Sequence, residues 1–538
     1  MQRIFQKLET TITGGAILIA TASLISRLLG LVRDRLLFST FGAGDVLDSY
    51  YVAFRLPDLL FNILVLGALS SAFIPMFLEY RERHSQKNGT QDPWELANGV
   101  LTILLFILFV LGLFGFIFAP QLVPLFAPGF EGQKLHDAIL LTRIMLLSIL
   151  FFAASNVVSS MLNALKRFFA FAIAPIFYNL GILVGIVVFY PLMGLAGLGW
   201  GVALGAVLHL LVQLPSVFRQ GYRFRWALLW RHPGVRRVFR LMLPRTIGLS
   251  AVQIDQTVST MIASTLAVGS VSVLNAAQNL QSFPINIFGV SLAVSSFPVL
   301  SQAVVQRRSD IFVHHFSVVF RRILFYVVPA AVLLLLLRAH FVRLILGAGE
   351  FDWNDTILTA QCLGFFSLSL FAQSLIPMLA RSFYALQDTA TPARISIGAV
   401  ILNVLGSLWF SREFGVIGLA LSFTIVSAVQ MLALLVLLRL RIGDLDDNTI
   451  LLSTIKIIVG SAFMALAVWA TLHVFALGVN QETFVGILIQ AAGAGSVGVA
   501  VYLGFALAFR FSEVQLIAGW LKRALALFRN GKAKRIEN

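Results

Sequence analysis

The sequence predicts an all-α polytopic membrane protein with fourteen transmembrane helices. Three observations carry that prediction. First, 59% of the 538 residues are hydrophobic and 12% are charged, about half the charged share of an ordinary soluble domain; mean hydropathy is +0.90. Second, apolar stretches of about 20 residues or more, enough to cross a bilayer, recur to the end of the chain. Third, the gaps between them alternate between basic and neutral or acidic, as membrane topology imposes on loops.

In order, the apolar segments cover 13–39, 47–79, 94–118, 136–164, 170–190, 194–218, 237–266, 270–303, 315–338, 356–385, 393–411, 415–439, 450–475 and 482–510. The first follows Arg3 and Lys7 like a signal peptide, yet it carries arginines of its own and further spans follow. It reads as a retained helix. The second holds Pro57, which removes a backbone donor and predicts a kink. Several segments are longer than the bilayer needs, which implies tilt, kinks or projecting ends. The single cysteine, Cys362, lies in an apolar span and can form no intrachain disulfide.

The N-terminus, "YRERHSQK", "LKRF", "QRRSD" and "KRALALFRNGKAKR" are basic, and residues 219–240 hold seven arginines and no acid. With an even span count, both termini fall on the cytoplasmic side. The net charge of +16 therefore belongs to topology, and no nucleic-acid partner is expected. In the tail, Ser512 and Gln515 stand at capping-box spacing. Leu516, Trp520 and Leu527 share a face away from Lys522 and Arg523, which suits an amphipathic helix at the membrane surface.

The chain also repeats itself weakly. "GAGDVLDSYYVAFRLPDLLFNILVLGALSSAFIP" from Gly42 is similar to "AVGSVSVLNAAQNLQSFPINIFGVSLAVSSFP" from Ala267, and "NALKRFFAFAIAP" from Asn163 to "YALQDTATP" from Tyr384. Both pairs are about 220–225 residues apart, which reads as a parallel duplication, although chance similarity between apolar sequences competes. The expected organisation is a six-helix lobe over 1–220, a second over 221–440, two additional helices over 441–510, and a basic cytoplasmic tail over 511–538. A substrate cavity between the two six-span bundles is expected.

Candidate site residues are the charges that hydrocarbon should reject. A charge near the bilayer centre costs about 2.5–3.5 kcal/mol on insertion scales. "SLISRLLGLVRDRLL" places Arg27, Arg33, Asp34 and Arg35 in the first span. Arg27 and Asp34 fall within about 20° of one helix face. Arg27 lies roughly 21 Å into the helix, too deep for an easy reach to the nearer surface, whereas Arg33 and Arg35 could snorkel. A water-filled cavity and a structural ion pair both remain open for Arg27. Asp48 and Arg55 form another pair seven residues apart, to which a salt-bridge lock between the first two helices is the structural alternative. Asp255 is an isolated acid in the seventh span, a candidate for a proton or Na⁺, with Asn403 and Thr424 as further oxygen donors. A plain hydrogen-bonded acid is the alternative. No G-x-x-x-x-G-K-[ST] phosphate loop, metal-site histidine spacing or G-x-S-x-G motif appears, so binding and translocation are expected rather than catalysis, with no cofactor.

"SRLLGLVRD" (26–34), "FGAGDVLDSYYVAFRLPDLL" (41–60), "GALSSAFIP" (67–75) and "FYALQDTATP" (383–392) resemble the MurJ/MviN lipid II flippases of the multidrug/oligosaccharidyl-lipid/polysaccharide exporter superfamily. The resemblance covers nearly the whole chain. It implies two six-helix lobes in a V and two C-terminal helices forming a groove for a lipid tail. It implies flipping of undecaprenyl-diphosphate-linked peptidoglycan precursor across the bacterial cytoplasmic membrane by alternating access, with coupling to Na⁺ or to the membrane potential and with cell-wall synthesis enzymes as partners alongside membrane lipids. Carried onto this chain, Ser26, Arg27, Arg33, Asp34 and Asp48 match functional positions and Arg55 a basic one, and Asp255 becomes a candidate for a cation site in the seventh span. Phe61, Leu66, Asn279 and Ser282 stand where the family usually has charged residues. A flippase for another lipid-linked oligosaccharide, a cation-coupled drug antiporter of the superfamily, and a membrane scaffold for wall synthesis remain alternatives.

Overall fold

The computed structural model describes residues 12–66, 69–85, 92–478, 480 and 483–514. Every regular element among them is helical. Eleven of these helices are long and apolar enough to cross a membrane, and the chain is a multi-pass membrane protein. The expected tail helix beyond Val514, and Arg3 and Lys7, lie outside the described residues.

Helix ends follow the sequence signals. Asp92 precedes the Pro93–Ile117 helix and accepts a hydrogen bond from the Trp94 amide at 2.9 Å, with proline at the first helical position, where no donor is needed. The span expected over 47–79 is instead broken into Asp45–Ala53, Arg55–Phe61, a π-helical turn Asn62–Leu66, and Leu69–Ser85. Pro57 has no N–H for the carbonyl four residues back, and the break at Phe54 falls within that turn.

The irregular features recur between the halves of the sequence, which supports the duplication. A π-helical turn, Ile285–Val290, also follows the helix that starts at Ser270. Pro75 and Pro298 both lie inside the helices beyond these turns. Lys166 and Gln387, both left-handed, end helices at the two "AL" motifs. Gly194 and Gly415 are also both left-handed, each accepting from the amide of a glycine three residues on.

Contacts divide the chain into two units. The first comprises 1–275 with 345–355, and its core is built on Phe73, Phe77, Leu96, Val100, Val157 and Met161, none with exposed surface. The second comprises 276–344 and 356–538, and Phe316, Leu363, Phe366 and Leu370 within it have no exposed surface. Within it the last two long helices, Asp447–Ala476 and Phe484–Ala508, pack on each other. The Tyr502 hydroxyl donates to the Phe325 carbonyl at 3.0 Å and ties them to the Ser309–Leu336 helix. Arg321 donates to Ser512 at 3.0 Å and to Glu513 at 3.2 Å, which anchors the chain just before the tail.

Lipid is as apolar as leucine, so helices in a bilayer associate through close packing and hydrogen bonds. In the first unit, Gly181 of the Phe168–Val184 helix and Gly185 of the π-helical turn that continues it meet Gly205 and Gly201 of the Ala196–Leu211 helix. A Cβ on Gly185 would lie 2.5 Å from the Gly201 backbone. Gly201→Val is therefore expected to destabilise the protein by about 1–3 kcal/mol, the usual cost of overpacking. Thermal unfolding in detergent measures this, and an unchanged midpoint would show that the seam tolerates a side chain.

Candidate functional site

The Ile12–Phe41 helix carries its charges to a polar junction with the Phe168–Val184 helix. Arg33 donates from Nε and Nη2 to Asp34 Oδ1, at 3.0 and 2.7 Å, and from Nη1 to Asn179 Oδ1 at 3.2 Å. Asn179 Nδ2 in turn donates to Ser26 Oγ at 3.2 Å and to the Ser26 carbonyl at 3.3 Å. Ser26, Arg33 and Asp34 thus meet through one asparagine two residues before the glycine seam. Asp34 is buried and Arg33 remains partly exposed. An arginine with one neutral and one anionic partner keeps donor capacity for an incoming anion.

Arg27 lies two turns before Asp34. It is neither enclosed nor fully exposed, and Leu24, Ile25 and Leu28 beside it are exposed. Asp34 bonds Arg33, its sequence neighbour, a pairing that the helical-face argument did not foresee.

Asp48 and Arg55 go separate ways. Asp48 is 1% exposed. Its Oδ2 accepts from Lys134 Nζ and the Gly269 amide, both at 2.8 Å, and its Oδ1 from the Ser272 amide at 2.9 Å and hydroxyl at 3.0 Å. The carboxylate therefore caps the start of the Ser270–Pro284 helix, where orphan amides and the helix dipole favour a negative charge. Lys134 also pairs with Asp45 at 2.8 Å. Gly269 has φ +87, and a Cβ there would collide with the Ala43 carbonyl. The same region is bound by the Ala43 amide to Asp355 at 2.9 Å and by the Glu350 amide to the Ser39 carbonyl at 2.9 Å. Arg55 instead donates to Asn275 Oδ1 at 2.9 Å, and its buried Nε has no hydrogen-bond partner. The Asp48–Arg55 pairing expected from spacing is not made: both Asp48 oxygens are taken by Lys134, Gly269 and Ser272, and Arg55 turns to Asn275.

Asp255 is half-buried on the Pro233–Ser264 helix. In the second unit, Asn403 Oδ1 accepts from the Ser422 hydroxyl at 3.0 Å, and the Thr424 hydroxyl lies 2.8 Å from the carbonyls of Phe365 and Ala420. Both side chains thus join helices. Phe61 packs on Phe152 with ring centroids 5.7 Å apart, and the Ser282 hydroxyl donates to the Asn279 carbonyl at 2.7 Å. The side chain of Leu66 lies outside the described residues.

Sequence reasoning missed Asn179 and Lys134. Asn179 stands out only as an amide in the apolar run "AIAPIFYNLGILVG", and Lys134 as a lone base just before the 136–164 span.

Charged side chains held on an all-helical multi-pass scaffold, with partners on neighbouring helices, are what membrane transporters carry along their substrate paths. A solved multidrug-resistance MATE transporter of the MOP superfamily, in an inward-facing conformation, shares this fold with a TM-score of 0.65 at 17% identity, covering 80% of this chain and 99% of that one. Residues 37–489 match the family model of the lipid II flippase MurJ, and the chain belongs to that family. A curated lipid II flippase MurJ from Burkholderia cenocepacia is 32% identical over 87% of this chain and 92% of its own length. A probable lipid II flippase MurJ from Vibrio cholerae is 32% identical over 78% of this chain and 81% of its own. A solved structure titled lipid II flippase MurJ, inward closed conformation, is 25% identical with a TM-score of 0.76, covering 92% of this chain and 99% of that one.

Proposed function

We propose that this chain flips lipid II, the undecaprenyl-diphosphate-linked peptidoglycan precursor, across the bacterial cytoplasmic membrane by alternating access. The carrying observation is the Ser26–Asn179–Arg33–Asp34 network, which joins two helices of an apolar scaffold through a charged pair. A diphosphate crossing hydrocarbon needs cations that are themselves stable when the site is empty. Asp34 supplies that stability for Arg33, and charge-assisted hydrogen bonds to the diphosphate replace it on loading. The orphan Nε of Arg55 is a second donor that a phosphate oxygen would satisfy. The superfamily's drug antiporters share the fold, but intramembrane arginines repel cationic drugs.

The topology in this proposal is fourteen spans with both termini cytoplasmic, which puts the Gly42–Gly44 turn and its Asp48 closure on the outer side. Residues 219–236 then face the cytoplasm, and labelling by an impermeant reagent from outside would refute this. The helices Asp447–Ala476 and Phe484–Ala508 take the prenyl tail, and coupling to Na⁺ or to the membrane potential runs through Asp255. A photoreactive prenyl probe is expected to crosslink within 450–510; crosslinks confined to earlier helices would count against the tail groove.

The test of function is flipping in proteoliposomes with defined lipid-linked precursors. Lipid II is expected to be translocated. Transport of a different polyprenyl-diphosphate-linked glycan without lipid II would reassign the head group, and transport of neither would remove the flippase reading.

A further inference from the structure

In the first unit, residues 222–229, in neither helix nor strand, form a strap laid along the Pro93–Ile117 helix. Two buried polar residues of that helix hold it. Asn98 donates to the Arg223 carbonyl at 3.0 Å and accepts from the Tyr222 hydroxyl at 2.8 Å and the Arg225 amide at 3.1 Å. Thr102 accepts from the Ala227 amide at 3.3 Å. A loop whose backbone is bonded in this way is a fixed wall.

That wall closes one side of a cavity of about 780 Å³, well within the size range of small-molecule sites. Its lining is almost wholly apolar, with Phe106, Phe109, Phe151 and Leu210 from the helices and Phe224 and Trp226 from the strap. Tyr222, Phe224, Trp226 and Leu228, every second residue, line the cavity, while Arg223 and Arg225 between them do not line it and are exposed. Arg219, beside the lining residue Phe218, is exposed as well. No ion pair with an acidic residue is made by these three arginines among the described residues. The ribbon is thus apolar along one edge and cationic along the other, in the order of tail and head of an anionic lipid.

We propose that this cavity binds an acyl chain of an anionic phospholipid, with the phosphate of its head group held by Arg219, Arg223 and Arg225. The lipid completes the strap's packing and fastens the 219–232 connection to the membrane.

The probe is phosphatidylglycerol brominated on its acyl chain, with the equally brominated phosphatidylcholine as control, added to the purified full-length protein. The fluorescence difference between the native chain and Trp226→Phe isolates the strap tryptophan. Phosphatidylglycerol is expected to quench that signal at about tenfold lower concentration than phosphatidylcholine, as several basic contacts at a membrane surface would give. The triple substitution Arg219→Gln, Arg223→Gln, Arg225→Gln is expected to erase the preference, and Ala154→Phe, which fills the cavity, to erase the quenching. The arginine variant changes only exposed side chains, so it decides the question even if Ala154→Phe fails to fold. Equal quenching by the two lipids, or a preference that survives the triple substitution, would overturn the proposal. Displacement of phosphatidylglycerol by equimolar undecaprenyl diphosphate would overturn it too, by assigning the cavity to the substrate tail.

Discussion

Replacing Arg27 by alanine is expected to lower the flipping rate per folded molecule by at least about 100-fold, while lysine retains part of it. Two hydrogen bonds to a charged partner, at about 1.5–3 kcal/mol each, correspond to roughly two decades or more at 1.36 kcal/mol per decade. The guanidinium fork matches two phosphate oxygens at once, and an ammonium keeps the charge but loses the two-point geometry. Redundancy is low in this chain. Phe61 makes a tilted aromatic contact with Phe152, and Asn279 and Ser282 bring no charge. Arg33 is shared between Asp34 and Asn179 in the empty site, and Arg27, two turns before Asp34 on the same helix, joins it as a second cation for the diphosphate. A purely structural arginine would behave differently: its loss would lower folded yield and leave the rate of the surviving molecules unchanged. Flipping normalised to folded protein separates the two, and a normal rate for Arg27→Ala would end the diphosphate role.

Most of the helices were legible because hydropathy and loop charge report the same physical constraint, the satisfaction of backbone groups in lipid. The span expected over 393–411 is the helix Ala390–Phe414, and that over 450–475 is Asp447–Ala476. What the sequence hid was partner choice. Arg33 and Asp34 announce themselves as charges in an apolar run, yet their joining residue, Asn179, is a neutral amide of the kind that membrane helices carry for many reasons. Asp48 was legible as a polar position, but two of its four donors are backbone amides, which have no sequence signature. The similarity of the segments from Gly42 and from Ala267 pointed at that place without saying that the two turns touch. The 47–79 segment misled because hydropathy does not register a helix break: Pro57 signalled a kink, while the choice of Asn275 by Arg55 rests on a neutral amide 220 residues away.

Asp48→Ala is expected to open the closure around Gly269 without unfolding the protein, and to stall transport. The carboxylate holds four donors, one of them the Lys134 ammonium, in a setting with almost no exposed surface. Lys134 keeps Asp45 as a partner, so the cost falls chiefly on the Gly269 and Ser272 amides, at about 1–3 kcal/mol for each enclosed donor left unmade. In a transporter that cost has an outlet. If the Ala43–Gly269 contact parts, water reaches Lys134 and the amides of Gly269 and Ser272, and the lost hydrogen bonds are replaced. The penalty then falls on the closed state alone, and a bias of about 3 kcal/mol shifts the balance between closed and open roughly 100-fold. Alternating access needs both states, so a closure that cannot re-form stops the cycle. The reporter is Ala43→Cys in a Cys362→Ala background, since the native cysteine is fully buried. A membrane-impermeant maleimide should label Cys introduced at this position at least about tenfold faster in Asp48→Ala than with Asp48 present, and Asp48→Asn, which keeps acceptor oxygen but loses the ion pair, should fall between them. Unchanged labelling together with a loss of folded protein would make Asp48 a helix cap and nothing more.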